Sequence, residues 1–444
     1  MLLAMRIRNE GLAGPRALVL AVSIAALCGL SPRVSGAVEP DEVPWLRRIP
    51  DVAAEMTRLP PFVRDTDLRL LLRSYYLNAR NANETLSEAW AGGAWLTYRS
   101  GWLLDTFQMG ATVFSSVPLY ASSDRDGTQL LAPGQEGFIV PGVAYGALRY
   151  GDYALLTGYR QIVEQTYVNP HDNRMAPVTY EGVTLGGKVG FADYLVGYLT
   201  RQKERDSETF VPIGEAVGVR GNGAGLTLAG VRLRPIQGLS IELSNQIVDD
   251  VFNTAFGQVD YAHAFDRNFV LTVAGQYTDQ RAVGDALLGG SKFTHWVTTV
   301  GSMRAQLHYH DFTLTTAFSV TGKGNNLQTP FGQYPGFLHM LIRDFDRAGE
   351  VAWMAGIGYD LSRWIPETRS GFSFAQGTSA VSPTKRTAAP DIREYNFGMD
   401  HRAAKHSGLH GFGFAAVAGI VDIEGTNRPQ YQIRLILNYE IPLL

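Results

Sequence analysis

The final fourteen residues, Tyr431 to Leu444, constrain this chain more than any other stretch. Tyr431, Ile433, Leu435, Leu437, Tyr439, Ile441 and Leu443 fall on one face at period two. Gln432, Arg434, Asn438 and Glu440 fall on the other, with Ile436 the one residue out of place. Successive strand side chains point to opposite faces, so this segment reads as a strand that is apolar on one side and wet on the other. Aromatics bracket the apolar face, as they do where a membrane slab ends in two interfaces. A soluble sandwich strand can show such alternation once; recurrence along a whole chain is a different matter.

Residues 1–37 read as a secretion signal. Arg6, Arg8 and Arg16 supply a basic start, Ala17 to Leu27 an apolar run too short to span comfortably, and Ser35-Gly-Ala37 a small-residue cleavage site. The single cysteine, Cys28, lies inside that signal, and Ala26-Leu27 before it lacks the small residue that lipidation requires. The mature chain is therefore expected to hold no disulfide. Removing the signal takes four Arg and one Glu from 39 basic and 42 acidic residues, leaving 35 and 41. A mildly acidic chain argues against nucleic acid as a partner. Charged residues make up only 18% of the whole, with 48 Gly and 20 Tyr and no long amphipathic helix pattern. That balance suits a barrel with lipid outside and water inside better than a soluble fold.

After a Pro-punctuated leader over 38–66, eighteen strand-like segments fill 67–444. Their approximate spans are 68–77, 90–99, 103–115, 138–150, 152–163, 181–190, 191–203, 224–234 and 239–248. The remainder are 253–265, 267–279, 293–308, 310–322, 349–361, 370–376, 392–402, 408–421 and 430–441. Connectors alternate in length. Ser100-Gly101, 150–152, 235–238, 265–268 and 309–311 are short, whereas 78–89, 116–137, 164–180, 204–223, 280–292, 323–348 and 377–391 are long and polar. Short turns on one side and long loops on the other predict an all-β, transmembrane antiparallel β-barrel of eighteen strands with both termini periplasmic. A soluble sandwich has no reason to show this asymmetry.

Four stretches resemble the OprD family of outer-membrane porins. Leu70-Leu-Leu-Arg-Ser-Tyr-Tyr-Leu-Asn78, with Glu88-Ala-Trp90 and Tyr98-Arg-Ser-Gly101, resembles that family's first strands. Met175-Ala-Pro-Val-Thr-Tyr-Glu-Gly182 resembles the end of its third loop. Thr329-Pro-Phe-Gly332 and Arg343-Asp-Phe-Asp-Arg-Ala-Gly-Glu350, running into Ala352-Trp353, resemble its seventh loop and the strand after it. The chain departs from the family in ending on Leu444 instead of an aromatic, with Tyr439 the candidate to serve in its place before the barrel assembly machinery. The resemblance implies a bacterial outer-membrane channel set among lipid and lipopolysaccharide, with no cofactor. It also implies that loops three and seven fold inward to narrow the lumen, and that arginines climb one wall.

Arginine suits such a wall because guanidinium stays charged and offers a fork of donors to a passing carboxylate. The inward-phased candidates are Arg69, Arg73, Arg99, Arg149, Arg160, Arg304 and Arg434. The third loop adds His171, Asp172, Asn173 and Arg174; the seventh adds Lys323, Arg343, Asp344, Asp346 and Arg347. These loop charges either orient a solute or bond one another to hold the loops in place. Small carboxylate solutes, amino acids or organic acids, are the expected cargo of a passive and selective channel. An unselective general porin is the alternative, and a monomer and a homotrimer both remain open.

Other motifs carry less. His308-Tyr-His310 puts two imidazoles on one strand face with no third metal ligand nearby. Gly221-Asn-Gly-Ala-Gly225 lacks the Lys-Ser/Thr pair and helix of a phosphate loop. No Gly-x-Ser-x-Gly elbow or metalloprotease His/Glu pair supports a barrel enzyme. The roughly 30 residues before the first strand are too few for the plug of an energised transporter.

Overall fold

The computed structural model describes residues 44–219, 223–288, 296–404 and 407–444. The expected signal, the first leader residues and part of the 221–225 glycine run lie outside the described residues. Eighteen staves make the barrel. The first nine are β1 (Asp67–Arg80), β2 (Leu86–Arg99), β3 (Phe107–Ala121), β4 (Phe138–Tyr150), β5 (Ala154–Gln161), β6 (Thr179–Val189), β7 (Ala192–Lys203), β8 (Leu226–Leu233) and β9 (Leu239–Val248). The others are β10 (Phe252–Asp266), β11 (Phe269–Ala282), β12 (Val297–Tyr309), β13 (Phe312–Thr321), β14 (Val351–Asp360), β15 (Thr368–Thr378), β16 (Ile392–Arg402), β17 (Phe412–Ile423) and β18 (Gln430–Pro442). Each stave pairs antiparallel with its sequence neighbour, and β1 closes on β18 from Arg69↔Pro442 to Arg80↔Tyr431. Closure leaves no open edge, which a spanning sheet requires because hydrocarbon cannot satisfy free amides. A two-residue pairing of Val211–Pro212 with the top of β7 lies in a connector and is not a stave.

Every expected segment has its stave, with differences at the ends. β1 and β2 run on to a hairpin at 81–85, so the expected long connector 78–89 is short. β3 starts at Phe107, because 103–106 forms a turn closed by the Leu103 N–H to Phe107 C=O bond of 2.8 Å. Connectors 249–251 and 424–429 are also short, and the turn-side connectors 361–367 and 403–411 are longer than either, so the length asymmetry holds for most connectors but not for every one.

β13 shows how sequence makes the wall. Leu314, Phe318 and Val320 are outward and exposed, while Thr313, Thr315, Ser319 and Thr321 are inward and buried. Rings mark the turn-side boundary, where Phe265 stacks on Phe269 at 4.7 Å and Phe312 meets Tyr359 at 4.6 Å. Such a girdle is what the membrane interface selects. In β18, Ile433, Leu435 and Leu437 are exposed, but Ile436 is fully buried against Tyr75, Leu77 and Met175. The break in the terminal pattern is thus an inward apolar contact with a loop folded into the lumen.

Candidate functional site

Three connectors on the long-loop side enter the barrel: loop 3 (162–178), loop 4 (described over 204–219 and 223–225) and loop 7 (322–350). They do so because each carries apolar side chains that a loop in water would leave exposed. Val168, Tyr180, Leu199, Ile213 and Phe331 form one buried cluster uniting all three with the wall. Met175 and Ala176 join Phe114, Tyr75 and Ile436 in another. Polar bonds fix the register. Trp95 Nε1–H donates to the Met175 carbonyl at 2.6 Å, and Tyr167 on loop 3 bonds Thr278 on β11 at 2.7 Å, so loop 3 reaches both walls. Asn169 Nδ2 donates to the Gln333 carbonyl at 2.9 Å, tying loop 3 to loop 7, and Tyr180 OH on β6 donates to the Phe331 carbonyl at 2.6 Å, tying loop 7 to the wall. Gly332 is required at that crossing. Its φ is +136°, and a Cβ there would lie 2.4 Å from Asn169 Oδ1.

Between the loops and the β1/β18 wall lies a cavity of about 350 Å³. Arg174 from loop 3, Arg205 from loop 4, Arg343 from loop 7 and Arg434 from β18 line it, with His171, His339 and Asp344. The guanidiniums bond neutral acceptors. Arg174 Nε donates to the Thr128 carbonyl at 2.8 Å and Arg205 Nη2 to Gln129 Oε1 at 2.8 Å. Arg343 Nη2 donates to Gln430 Oε1 at 2.7 Å, and Arg434 Nη2 to the Leu341 carbonyl at 3.2 Å. Burial, then repulsion from Arg434 and Arg205, pulls Arg174 down to about 9, so it still carries its charge at neutral pH. Burial is also the main cause lowering Arg205 and Arg343. The same burial, reinforced by Arg205, His339, Arg174 and Arg434, holds His171 far below the usual imidazole range and hence neutral.

The sequence-derived candidates separate by position. Arg69, Arg73 and Arg434 (level with Leu77) stand four residues apart up one inner wall, roughly 13 Å per step at about 3.3 Å per residue. Arg69 and Arg99 share Asp67 at 2.8 and 3.0 Å, and Arg69 also reaches Glu440 at 3.4 Å. Arg73 is anchored to Asp172 at 2.8 Å, to Asn438 at 3.0 Å and to the Arg174 carbonyl, and stacks on Trp95 at 4.7 Å. Arg149 sits at the turn-side mouth, on the Trp102 face at 4.1 Å and bonded to Asp105. Arg304 lies within the lumen beside Asp260 at 3.3 Å and under Phe337 of loop 7 at 4.5 Å.

Arg160 requires a correction. It pairs with Glu181 at 2.9 Å, on the face shared with Arg201 and the exposed Val183. Its neighbours Gln161, Tyr180 and Gln202 occupy the opposite, inner face, from which Gln202 reaches the Pro330 carbonyl of loop 7. Arg160 is therefore outside the barrel. In loop 7, Asp344 bonds His339, and Arg347 bonds Glu350 at 2.5 Å and the Pro390 carbonyl at 2.8 Å. Burial, then Asp344 and Glu350, pushes the Asp346 carboxyl well above its usual range. Glu350 thus braces the loop, while Asp344 faces the same cavity as the arginines and is engaged there by His339. His308 bonds Thr313 at 3.3 Å, and among the described residues no three potential ligands cluster for a metal.

Arg205 and His339 are lining residues that the sequence reading missed. Arg205 lies in the polar run Gln202 to Asp206, which has no periodicity to distinguish a lining residue from a solvated one.

A closed eighteen-stranded barrel with an apolar outer belt, a polar inner face and an in-folded arginine-lined narrowing defines an outer-membrane channel. The chain belongs to the OprD family of outer membrane porins, whose family model matches residues 60–443. Its fold is similar to Pseudomonas aeruginosa OccK9 (OpdG), with a TM-score of 0.77 at 20% identity over 86% of this chain and 100% of that one. It is also similar to Pseudomonas aeruginosa OpdK, seen with vanillate, at 0.73 and 17% identity over 86% and 100%. Acinetobacter baumannii OccAB1 gives 0.77 at 12% identity over 88% and 100%. No functionally curated protein matches the chain. The family comprises channels and not enzymes.

Proposed function

We propose that this porin is a passive channel selective for small solutes that carry a carboxylate. The observation that carries the reading is the cavity between loops 3, 4 and 7, where four guanidiniums converge and bond neutral acceptors in place of carboxylates. Charge in a space of low effective dielectric attracts anions more than it would in bulk water. Arg69, eight residues below the level of Arg434 on the same inner wall, offers a further weak contact, which lets a solute leave as well as enter. OpdK, similar in fold, is seen with vanillate, an aromatic carboxylate. Outer-membrane lipid and lipopolysaccharide would cover the apolar belt, and the barrel assembly machinery would insert it.

Liposome swelling tests the reading. Carboxylates should enter faster than neutral sugars of equal size at low salt. The advantage should shrink as the screening length falls from about 10 Å at 0.1 M to about 3 Å at 1 M. Replacing Arg434 or Arg174 with Gln should reduce the preference, whereas Arg160→Gln on the outer face should not. Equal permeation of acids and sugars at low salt would leave a general porin instead.

A further inference from the structure

The tip of loop 7, Leu341 to Arg343, lies against β16, β17 and β18, and one residue there does more than fill space. Glu394 on β16 is fully buried. It accepts the Ile342 N–H on Oε1 and the Arg343 N–H on Oε2, each at 2.9 Å. Among the described residues it makes no ion pair, and these two amides occupy its two oxygens, as a buried polar group requires. Beneath the tip is Gly419, where a Cβ would stand 2.6 Å from Asn396 Oδ1 on β16, 3.0 Å from Leu341 Cδ2 and 3.3 Å from Ile342 Cδ1. The wall is thus cut away where the loop lies and carries an acceptor where the loop presents two donors.

We infer that Glu394 is a positioning residue of the channel: its carboxylate fixes the tip of loop 7, and through it the placement of Arg343 beside the lining cavity. The inference rests on that cavity being the passage. The carboxylate is specific to the task because each of its oxygens takes one amide. An isosteric Gln keeps one acceptor but turns an N–H against the second amide, so the tip loses its seat at almost unchanged volume. Bulk at position 419 should lift the tip while leaving Glu394 intact.

Glu394→Gln and Gly419→Leu should both raise single-channel conductance in planar bilayers by roughly two-fold or more, with flicker between levels. Trypsin added outside intact cells should cut at Arg343 or Arg347 in both variants and not in the parent. Heat-modifiable migration on gels reports that the barrel is folded. Parental conductance together with a protected loop in either folded variant overturns the inference. Acid-over-sugar preference of the parent channel is measured in the same membranes. Its absence would defeat the solute reading, while the conductance of the two variants would still decide the role of Glu394.

Discussion

A guanidinium buried in a wall needs its donors used, and Arg73 uses them on Asp172, Asn438 and the Arg174 carbonyl while only 3% exposed. It is better described as the anchor of loop 3 than as a solute contact. Arg73→Gln should leave the Asp172 carboxylate without its partner. The expected cost lies somewhat below the about 3–5 kcal/mol of a fully buried pair, because Asp172 keeps some water. Denaturant midpoints for barrels refolded into vesicles would measure it, and a change under about 0.5 kcal/mol would contradict the anchoring role.

His171 makes a prediction of opposite kind. An imidazole normally gains charge as pH falls through about 6.5, but burial and the guanidiniums of Arg205, Arg174 and Arg434 keep this one neutral there. The anion preference of the parent and of His171→Asn should therefore run in parallel between about pH 8 and pH 5. A preference that rises on acidification in the parent and not in His171→Asn would show that water and protons reach the ring. Inward facing was legible at period two for most of the arginines, because Arg69, Arg149, Arg304 and Arg434 have apolar neighbours on both sides and Arg73 and Arg99 on one. Arg160 was misread because Leu155-Leu156 sets no phase in β5 and Tyr159, at φ +80°, interrupts the alternation.

Strands and loops differ in what they reveal. The staves were readable because a wall with lipid on one face and water on the other must alternate, whatever its neighbours do. Their ends were not, since β1 and β2 leave the membrane with Asn78 to Arg80 and Leu86 to Glu88, residues equally at home in a loop. Length and polarity marked the long connectors, but not that they turn inward. The available signal was the apolar content of loop 3, with Val163, Tyr167, Val168, Met175 and Val178 all buried. Deleting 169–174 removes the Asp172 and Asn169 ties and the part of loop 3 nearest β1. Conductance should rise by roughly several-fold, as expected when a constriction element is lost. An unchanged value in bilayers would mean that loop 3 does not limit flow.

At the scale of the molecule, strand parity determines which side each connector faces. Eighteen staves bring the chain back to the side from which it started, and the two ends meet there: the Trp45 N–H bonds the Pro442 carbonyl and the Leu46 N–H the Leu443 carbonyl, both at 3.0 Å. The long connectors lie at the opposite mouth, and in outer-membrane barrels the short turns face the periplasm. Asp124, exposed in the connector 122–137, should therefore face the medium, and Ile236, 61% exposed in the turn 234–238, the periplasm. Cysteine suits the test because the only native one, Cys28, lies in the expected signal. With Asp124→Cys, a membrane-impermeant maleimide should label intact cells. With Ile236→Cys it should label only after the outer membrane is breached, although both sites are equally open in the purified barrel. Labelling in the reverse order would invert the barrel in its membrane and place loops 3, 4 and 7 at the periplasmic mouth, a layout at odds with the short turns that outer-membrane barrels keep on that side.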